Sequence, residues 1–531
     1  MRQVLPSAQR ASGGGTSFPA PVGGWNARDP IANMPATDAI FLDNFFPRTS
    51  DVSLRPGSIL HATLPADTIP ASPHDVRSLM SYQAADGTAK LFAGCEGGLY
   101  DVTAGGTVSA VSSAATGTAW EFVNISTAGG SFLWTCNGID DARYFNGTTW
   151  TVLNGASTPA LTGITSSDIT NVNSFKARLY LCKKNSLSFY YLPVNSVAGA
   201  ASEFPLGAVF TKGGYLMATG TWTLDGGNGP EDYFVAVSSE GEIAIYAGTD
   251  PSNAANWGLQ GVYYIGVPLS RRCLVKLGGD LGVLTVRGLY PLSKALQSAT
   301  VDQRSALSDK ISKAWVDYTS IAGDHFGWQP LLYPEATLLL VNVPVVSQQS
   351  EGNVYSYQFV MNTQTKAWCR FTGMPSEVWG VHDGKLFFAL HNKVFQAWIG
   401  QSDVSTGAID ARAKQAFFYP SGRGRSSQIT LLRPIITASS GDIKVQLSLD
   451  TDYDDSLTAF TSITYAQGIA IWDQSRWDQA YWTSSATIAK WKSVNHRPGR
   501  AVAVRLRFLG KGVNMSWNAT DMILKSAVLS L

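Results

Sequence analysis

Charge is what this sequence has least of. Asp, Glu, Lys and Arg make up 15% of its 531 residues, against about 25% in typical soluble domains. The signs nearly cancel: 40 basic residues face 39 acidic ones, for a net charge of +1. That balance excludes a protein whose main task is to grip nucleic acid by neutralising phosphates. It does not exclude a wall past which DNA slides, since such a wall needs no strong attraction. Cysteine is also scarce. The five, at positions 95, 136, 182, 273 and 369, form an odd set with no CxxC pair, so no disulfide framework is expected. A reducing compartment during assembly fits this usage. No stretch reaches the ~18 consecutive apolar residues of a membrane helix. Met1 to Pro6 carries no apolar run of signal-peptide type, so the chain is expected to be made in a cytoplasm.

Motifs for chemistry are missing too. The histidines, at 61, 74, 325, 382, 391 and 496, show no HxxxH or HxH spacing for a metal. No nucleophile elbow is found. Gly94-Cys95-Glu96-Gly97-Gly98 lacks the Lys-Ser/Thr of a phosphate cradle. The repeated Ser-x-Asp-x-Gly-x-x-Trp turns of sialidase-type propellers do not occur. Asp450-x-Asp452-x-Asp454 opens like a calcium loop, but Asp455 stands where Gly is needed and Thr461 where Glu is needed. A hairpin turn is the better reading, with a weak cation site as the alternative. Glu240 and Glu242 flank a turn and read as solvated. No catalytic, cofactor-binding or metal-binding residue is therefore expected, and no cofactor.

What the sequence does contain is a repeated sentence. Gly384 to Gly400 reads GKLFFALHNKVFQAWIG: an apolar strand, a polar turn and a second apolar strand. Comparable strand–turn–strand units begin at 90, 131, 177, 232, 279, 336 and 384, at steps of 41 to 57 residues. Such a pair alone is marginal in water. Stacked radially, each sheet covers the next, which is the logic of a β-propeller blade. Cys95, Cys136 and Cys182 fall near the end of the first strand of their units, which suits small buried core residues better than metal ligands. A meander of unrelated hairpins in one or two sandwiches is the alternative. Punctuation by 51 Gly and 24 Pro leaves few helical periods. One exception has apolar residues at Leu307, Ile311, Ala314, Trp315 and Tyr318. That spacing gives one apolar helical face, with Ser308 as N-cap. The expected fold is all-β: a propeller of about seven blades over 58–400, with a short helical insert near 307–318, followed by a C-terminal β-sandwich or barrel over 401–531. Residues 1–57 read as an N-terminal arm and a signature segment. Val76 to Tyr82 reads as an outer strand of the first blade, and Asp403 to Ala408 as a linker.

The signature segment carries a resemblance. Its residues are Ala39, Leu42, Asn44 and Pro47, then a turn, then Leu54-Arg55-Pro56-Gly57. This order is similar to the opening of the tail nozzle (tail hub, or tubular tail) proteins of short-tailed, podovirus-type bacteriophages. The match covers about 35 residues. Asn362 to Phe371, a tight turn followed by Trp368 and Phe371, resembles a unit found before the final hairpin in such proteins. The loop bearing Trp472, Trp477 and Trp482, ahead of Gly499-Arg500, resembles their C-terminal parts. By residue type alone that loop is an aromatic mini-core, a subunit interface or a sugar platform. The resemblance implies a non-enzymatic virion protein of the tail, assembled in the host cytoplasm as a homohexamer. It implies contacts with the head-to-tail adaptor and with tail fibres or tailspikes, and transient passage of genomic double-stranded DNA. The alternative is a carbohydrate-binding or polysaccharide-hydrolysing propeller with a β-sandwich module. A trimeric receptor-binding fibre is a weaker third reading, because the chain has no heptads or collagen-like tract.

Overall fold

The computed structural model describes residues 14–65, 75–225, 230–295, 302–344, 357–404, 407–439, 443–454, 461–465, 486–494 and 498–526. The chain forms two compact units. One comprises 58–360 and 374–399; the other comprises 1–57, 361–373 and 400–531.

The first unit is a seven-bladed propeller. Blade 1 is Ser78–Gln83, Ala89–Cys95, Gly98–Asp101 and Ala110–Ser113. Blades 2, 3 and 4 start at Glu121–Thr127, Ile169–Phe175 and Leu216–Asp225, and each has four antiparallel strands. Blade 5 has three strands and starts at Leu274–Leu277. Blade 6 starts at Gln329–Tyr333, and blade 7 at Val378–His382. These seven first strands touch one another in order, and the seventh touches the first, so they form a closed inner circuit. The strand expected on the outside of blade 1 is therefore its innermost one. Its apolar residues Val76, Leu79, Met80 and Tyr82 are buried, and both blade 7 and blade 2 press on the strand.

Blade 7 is completed from far away in sequence. Its outer strand is Ser58–Thr63, antiparallel to Lys393–Ala397, with Ala62 opposite Val394. The strand that opens the propeller thus closes its last blade. A closed ring leaves no inter-blade face bare.

The near-continuous apolar runs of the middle strands follow from burial on both faces. In Arg178–Lys183, Leu179 and Leu181 pack with Trp134 and Tyr144 of blade 2. Tyr180 and Cys182, which point the other way, pack with Phe234 and Trp257 of blade 4. Alternate residues of one strand serve two neighbours. All five cysteines are buried and free. Burial pushes the Cys182 and Cys273 thiols up to about 12.

The helical insert is displaced from its expected bounds. A 3-10 turn spans Asp309–Ile311 and the α-helix spans Ser312–Ala322. Ser308 does not cap it. Its hydroxyl accepts the Leu289 amide at 3.0 Å instead. Ile311 and Trp315 are fully buried, and Trp315 Nε1 donates to the Thr285 carbonyl at 3.1 Å.

The second unit is built from two sheets. One runs Phe45–Pro47, Val52–Leu54, Met515–Ser526, Ser427–Ala438, Ala486–Ala489, with Gly14–Pro19 also on Met515–Ser526. The other includes Trp368–Phe371, Asp38–Asp43, Ile409–Gln415, Val502–Gly510, Ile443–Thr451 and Thr461–Tyr465. Ser427–Ala438 and Ile443–Thr451, though adjacent in sequence, lie in different sheets. Burial alternates as a two-layer packing requires: Ile409, Ala411 and Ala413 are fully buried, while Arg412 between them is exposed. The N-terminal segment is thus no separate arm from Gly14 onward. It shares sheets with the C-terminal third, because its strands have their hydrogen-bond partners there.

Candidate functional site

The residues that carry the family resemblance assemble into one buried polar node in the second unit. Asn44 takes a left-handed backbone conformation (φ 58°) between two strands, a geometry Asn tolerates better than most residues. That turn aims its side chain inward. Asn44 Nδ2 donates to Thr372 Oγ1 at 2.8 Å and to the Asp410 carbonyl at 2.9 Å. Its Oδ1 accepts Arg55 Nε and the Thr372 amide, both at 2.8 Å. Arg55 then spends its remaining donors on Asp403, the Thr372 carbonyl and the Pro56 carbonyl. A buried guanidinium is tolerable only when paired and hydrogen-bonded all round, and Arg55 meets that condition with a side chain 0% exposed.

Two neighbours complete the node. Asp43 holds Arg370 through a two-point pair at 2.8 and 2.9 Å. Asn362 Nδ2 donates to the Pro47 carbonyl at 2.9 Å. The signature segment and the turn–Trp–Phe segment, over three hundred residues apart, therefore meet. Pro56-Gly57 reads in the sequence as the entry to a turn, but Gly57 is not left-handed. It is a close approach: a Cβ there would stand 2.0 Å from the Ser402 carbonyl oxygen. Asp403, read as part of a linker, is the buried counter-ion of Arg55. Nothing in its local sequence marks it.

The propeller offers a second site, at the mouth of its ring, where the inner strands of blades 2, 4, 5 and 6 begin. A cavity of about 310 Å³ there is lined by Glu121, Tyr215, Arg271, Arg272, Phe326 and Trp328, among others. A second space of about 220 Å³, lined among others by Leu79, Asn171 and Thr219, shares Glu121, Arg271 and Arg272 with it. Arg272 is fixed: Nε donates to Glu121 Oε1 and Nη2 to the Trp120 carbonyl, both at 2.9 Å. Phe326 lies under two guanidinium groups, those of Arg77 at 5.3 Å and Arg272 at 5.6 Å. Sequence reading missed this site, since its residues come from loops before four different blades.

Other candidates resolve into structure. Asp450 is buried against Lys414 Nζ at 2.9 Å and Arg505 Nη2 at 2.8 Å. Asp452 accepts the Arg500 and Ala501 amides. These are roles in the fold rather than in a calcium loop. Glu242, expected in solvent, is buried and accepts the Thr211 hydroxyl at 2.7 Å and the Lys212 amide at 2.8 Å. Among the described residues, no group of three or more His, Cys, Asp or Glu could hold a metal ion. No helix among them is long and apolar enough to cross a membrane. The Trp472, Trp477 and Trp482 loop lies outside the described residues.

No family model matches the chain, and no curated protein does. Among solved structures, the designed protein Ika8 has a TM-score of 0.34 at 10% identity, over 64% of this chain and 99% of its own. YCF48 from Cyanidioschyzon merolae has 0.35 at 10% identity, over 64% and 98%. A candidate 6-phosphogluconolactonase of Bacteroides fragilis has 0.33 at 12% identity, over 65% and 92%. Similarities of this degree carry no argument about function. The propeller rests on the strand pairing itself.

Proposed function

We propose that this chain is a non-enzymatic virion protein: a nozzle-type tail subunit of a short-tailed bacteriophage. In this reading six copies form a ring below the head-to-tail adaptor. The ring carries fibre or tailspike contacts and encloses the passage through which double-stranded DNA leaves. The observation that carries the proposal is the signature itself. Asn44, Leu54, Arg55, Pro56 and Gly57 bear the resemblance, and their geometry explains why that residue order is demanding: Asn44 must be left-handed, Arg55 must be buried and paired, and Gly57 must lack a side chain. The near-neutral charge is compatible with a passage that does not retain nucleic acid. A ring needs a heterologous contact that closes.

The test is native mass spectrometry and negative-stain imaging of the purified protein, alone and with the tail adaptor. Closed rings of six copies support the proposal. A monomer that neither assembles nor meets the adaptor, and that is retained on a polysaccharide column, overturns it in favour of a carbohydrate-binding propeller.

A further inference from the structure

We propose that the mouth of the propeller is a binding site for a small organic anion, with Arg271 as its counter-ion. The argument begins with charge. Three ionisable groups are common to the linings of both spaces: Glu121, Arg271 and Arg272. Arg272 and Glu121 satisfy each other at 2.9 Å. Arg271 has no carboxylate within ion-pair distance among the described residues, so no carboxylate neutralises its guanidinium directly.

That charge is also partly removed from water. Arg271 is half-buried, and its side chain reaches from blade 5 toward blades 2 and 3. A Cβ placed on Gly138 would lie 3.6 Å from Arg271 Nη1 and 2.8 Å from Thr170 Cγ2. The guanidinium thus lies beside the narrow gap between the Gly138 turn and Thr170. A guanidinium stays protonated at any ordinary pH, so desolvation cannot be relieved by losing the proton. An oxyanion relieves it directly, through charge-assisted and often bidentate hydrogen bonds.

The surroundings select a body for that anion. Tyr215 and Phe326 are 37% and 41% exposed at the mouth, and Trp328 and Leu269 also line the wall. The Phe326 ring is in cation–π contact with both Arg77 and Arg272. The remaining charge, the Asp324–His325 pair, involves an Asp whose side chain is 94% exposed and therefore well screened. A volume of about 310 Å³ sits at the lower end of ligand pockets, which span roughly 300–1,000 Å³. An anionic head on a small apolar or planar body fits this chemistry. Carboxylate and phosphate heads share it.

The experiment is isothermal titration of the full chain with benzoate, phenyl phosphate and, as neutral control, benzyl alcohol. Saturable binding of at least one acid, without binding of benzyl alcohol, is expected; the tighter acid identifies the head group. Arg271→Gln, with an unchanged melting temperature, should weaken that binding by about tenfold or more, the worth of one hydrogen-bonded charge. Glu121→Gln frees Arg272 and should tighten it, which decides the matter if Arg271→Gln does not fold. Absence of saturable binding by both acids overturns the proposal. So does equal affinity in Arg271→Gln, or unchanged or weaker affinity in Glu121→Gln. None of these outcomes depends on whether the chain forms a ring.

Discussion

Arg55 and Asp403, 348 residues apart, form a two-point ion pair at 2.9 and 2.6 Å with both side chains almost wholly out of solvent. The pair ties the end of the signature segment to the chain just beyond the propeller's last strand. Removing one partner leaves a buried charge uncompensated, which typically costs about 3–5 kcal/mol. Arg55→Ala and Asp403→Ala should each destabilise the second unit by that order, read as a lower denaturant midpoint at unchanged slope. Arg55→Lys should not rescue, because an ammonium cannot reproduce the planar fork that also reaches Asn44 and Thr372. A loss of under about 1 kcal/mol, the range of exposed pairs, would show that the node is not buried in solution.

Ring closure makes a prediction about motion. Ser58–Thr63 is hydrogen-bonded to Lys393–Ala397 across the length of the propeller. Strands of one cooperative unit exchange their amide protons together. Hydrogen exchange should therefore protect those amides of Ser58–Thr63 that bond to Lys393–Ala397 to the same degree as their partners on that strand. Rapid exchange in the first strand beside slow exchange in the second would mean that the last blade is open.

The largest buried side chain of the helical insert is Trp315. Trp315 is fully buried, bonds to the Thr285 carbonyl and lies 6.2 Å from the Trp328 ring and 5.9 Å from Phe359. Trp315→Ala should cost about 3–5 kcal/mol. Its neighbour Val316 is 48% exposed, so Val316→Ser should stay within about 0.5 kcal/mol. Thermal or denaturant unfolding distinguishes the two. Equal effects would contradict the face the helix buries.

Acid should loosen blade 2 through Asp140. Burial of its carboxyl acts to raise the pKa, but the Thr116 and Gly117 amides, Asn137 Nδ2 and the Thr116 hydroxyl outweigh it and hold the value below the usual carboxylate range. A depressed folded-state pKa stabilises above the unfolded value of about 3.9 and loses that contribution as pH falls through the folded value. The stability gap between wild type and Asp140→Asn, measured by urea unfolding, should thus be full near neutrality and shrink below about pH 4. A gap that stays constant into strong acid would sink this account.

Much of the propeller was legible because its cause is local. Each strand–turn–strand unit is a near-continuous apolar run, a polar turn and a second apolar run, and all seven units in the sequence are paired strands in the structure. The failures were also of one kind. Ser308 looks like a cap, but its hydroxyl is taken by Leu289 on another element. Val76 to Tyr82 looks like an edge, but two blades cover it. Glu242 looks solvated, but a loop 30 residues earlier wraps its carboxylate.

The amino-acid order alone determined the class, the blade number and the near-continuous apolar runs that bury both faces of each middle strand, since those follow from residues within one turn or strand. Only the tertiary structure decided that Ser58–Thr63 completes the seventh blade, that Asp403 is the partner of Arg55, and that Arg271 has no carboxylate within ion-pair distance among the described residues. Each of these is a meeting of segments distant in sequence, and such meetings are set by chain topology, to which no neighbouring residue bears witness.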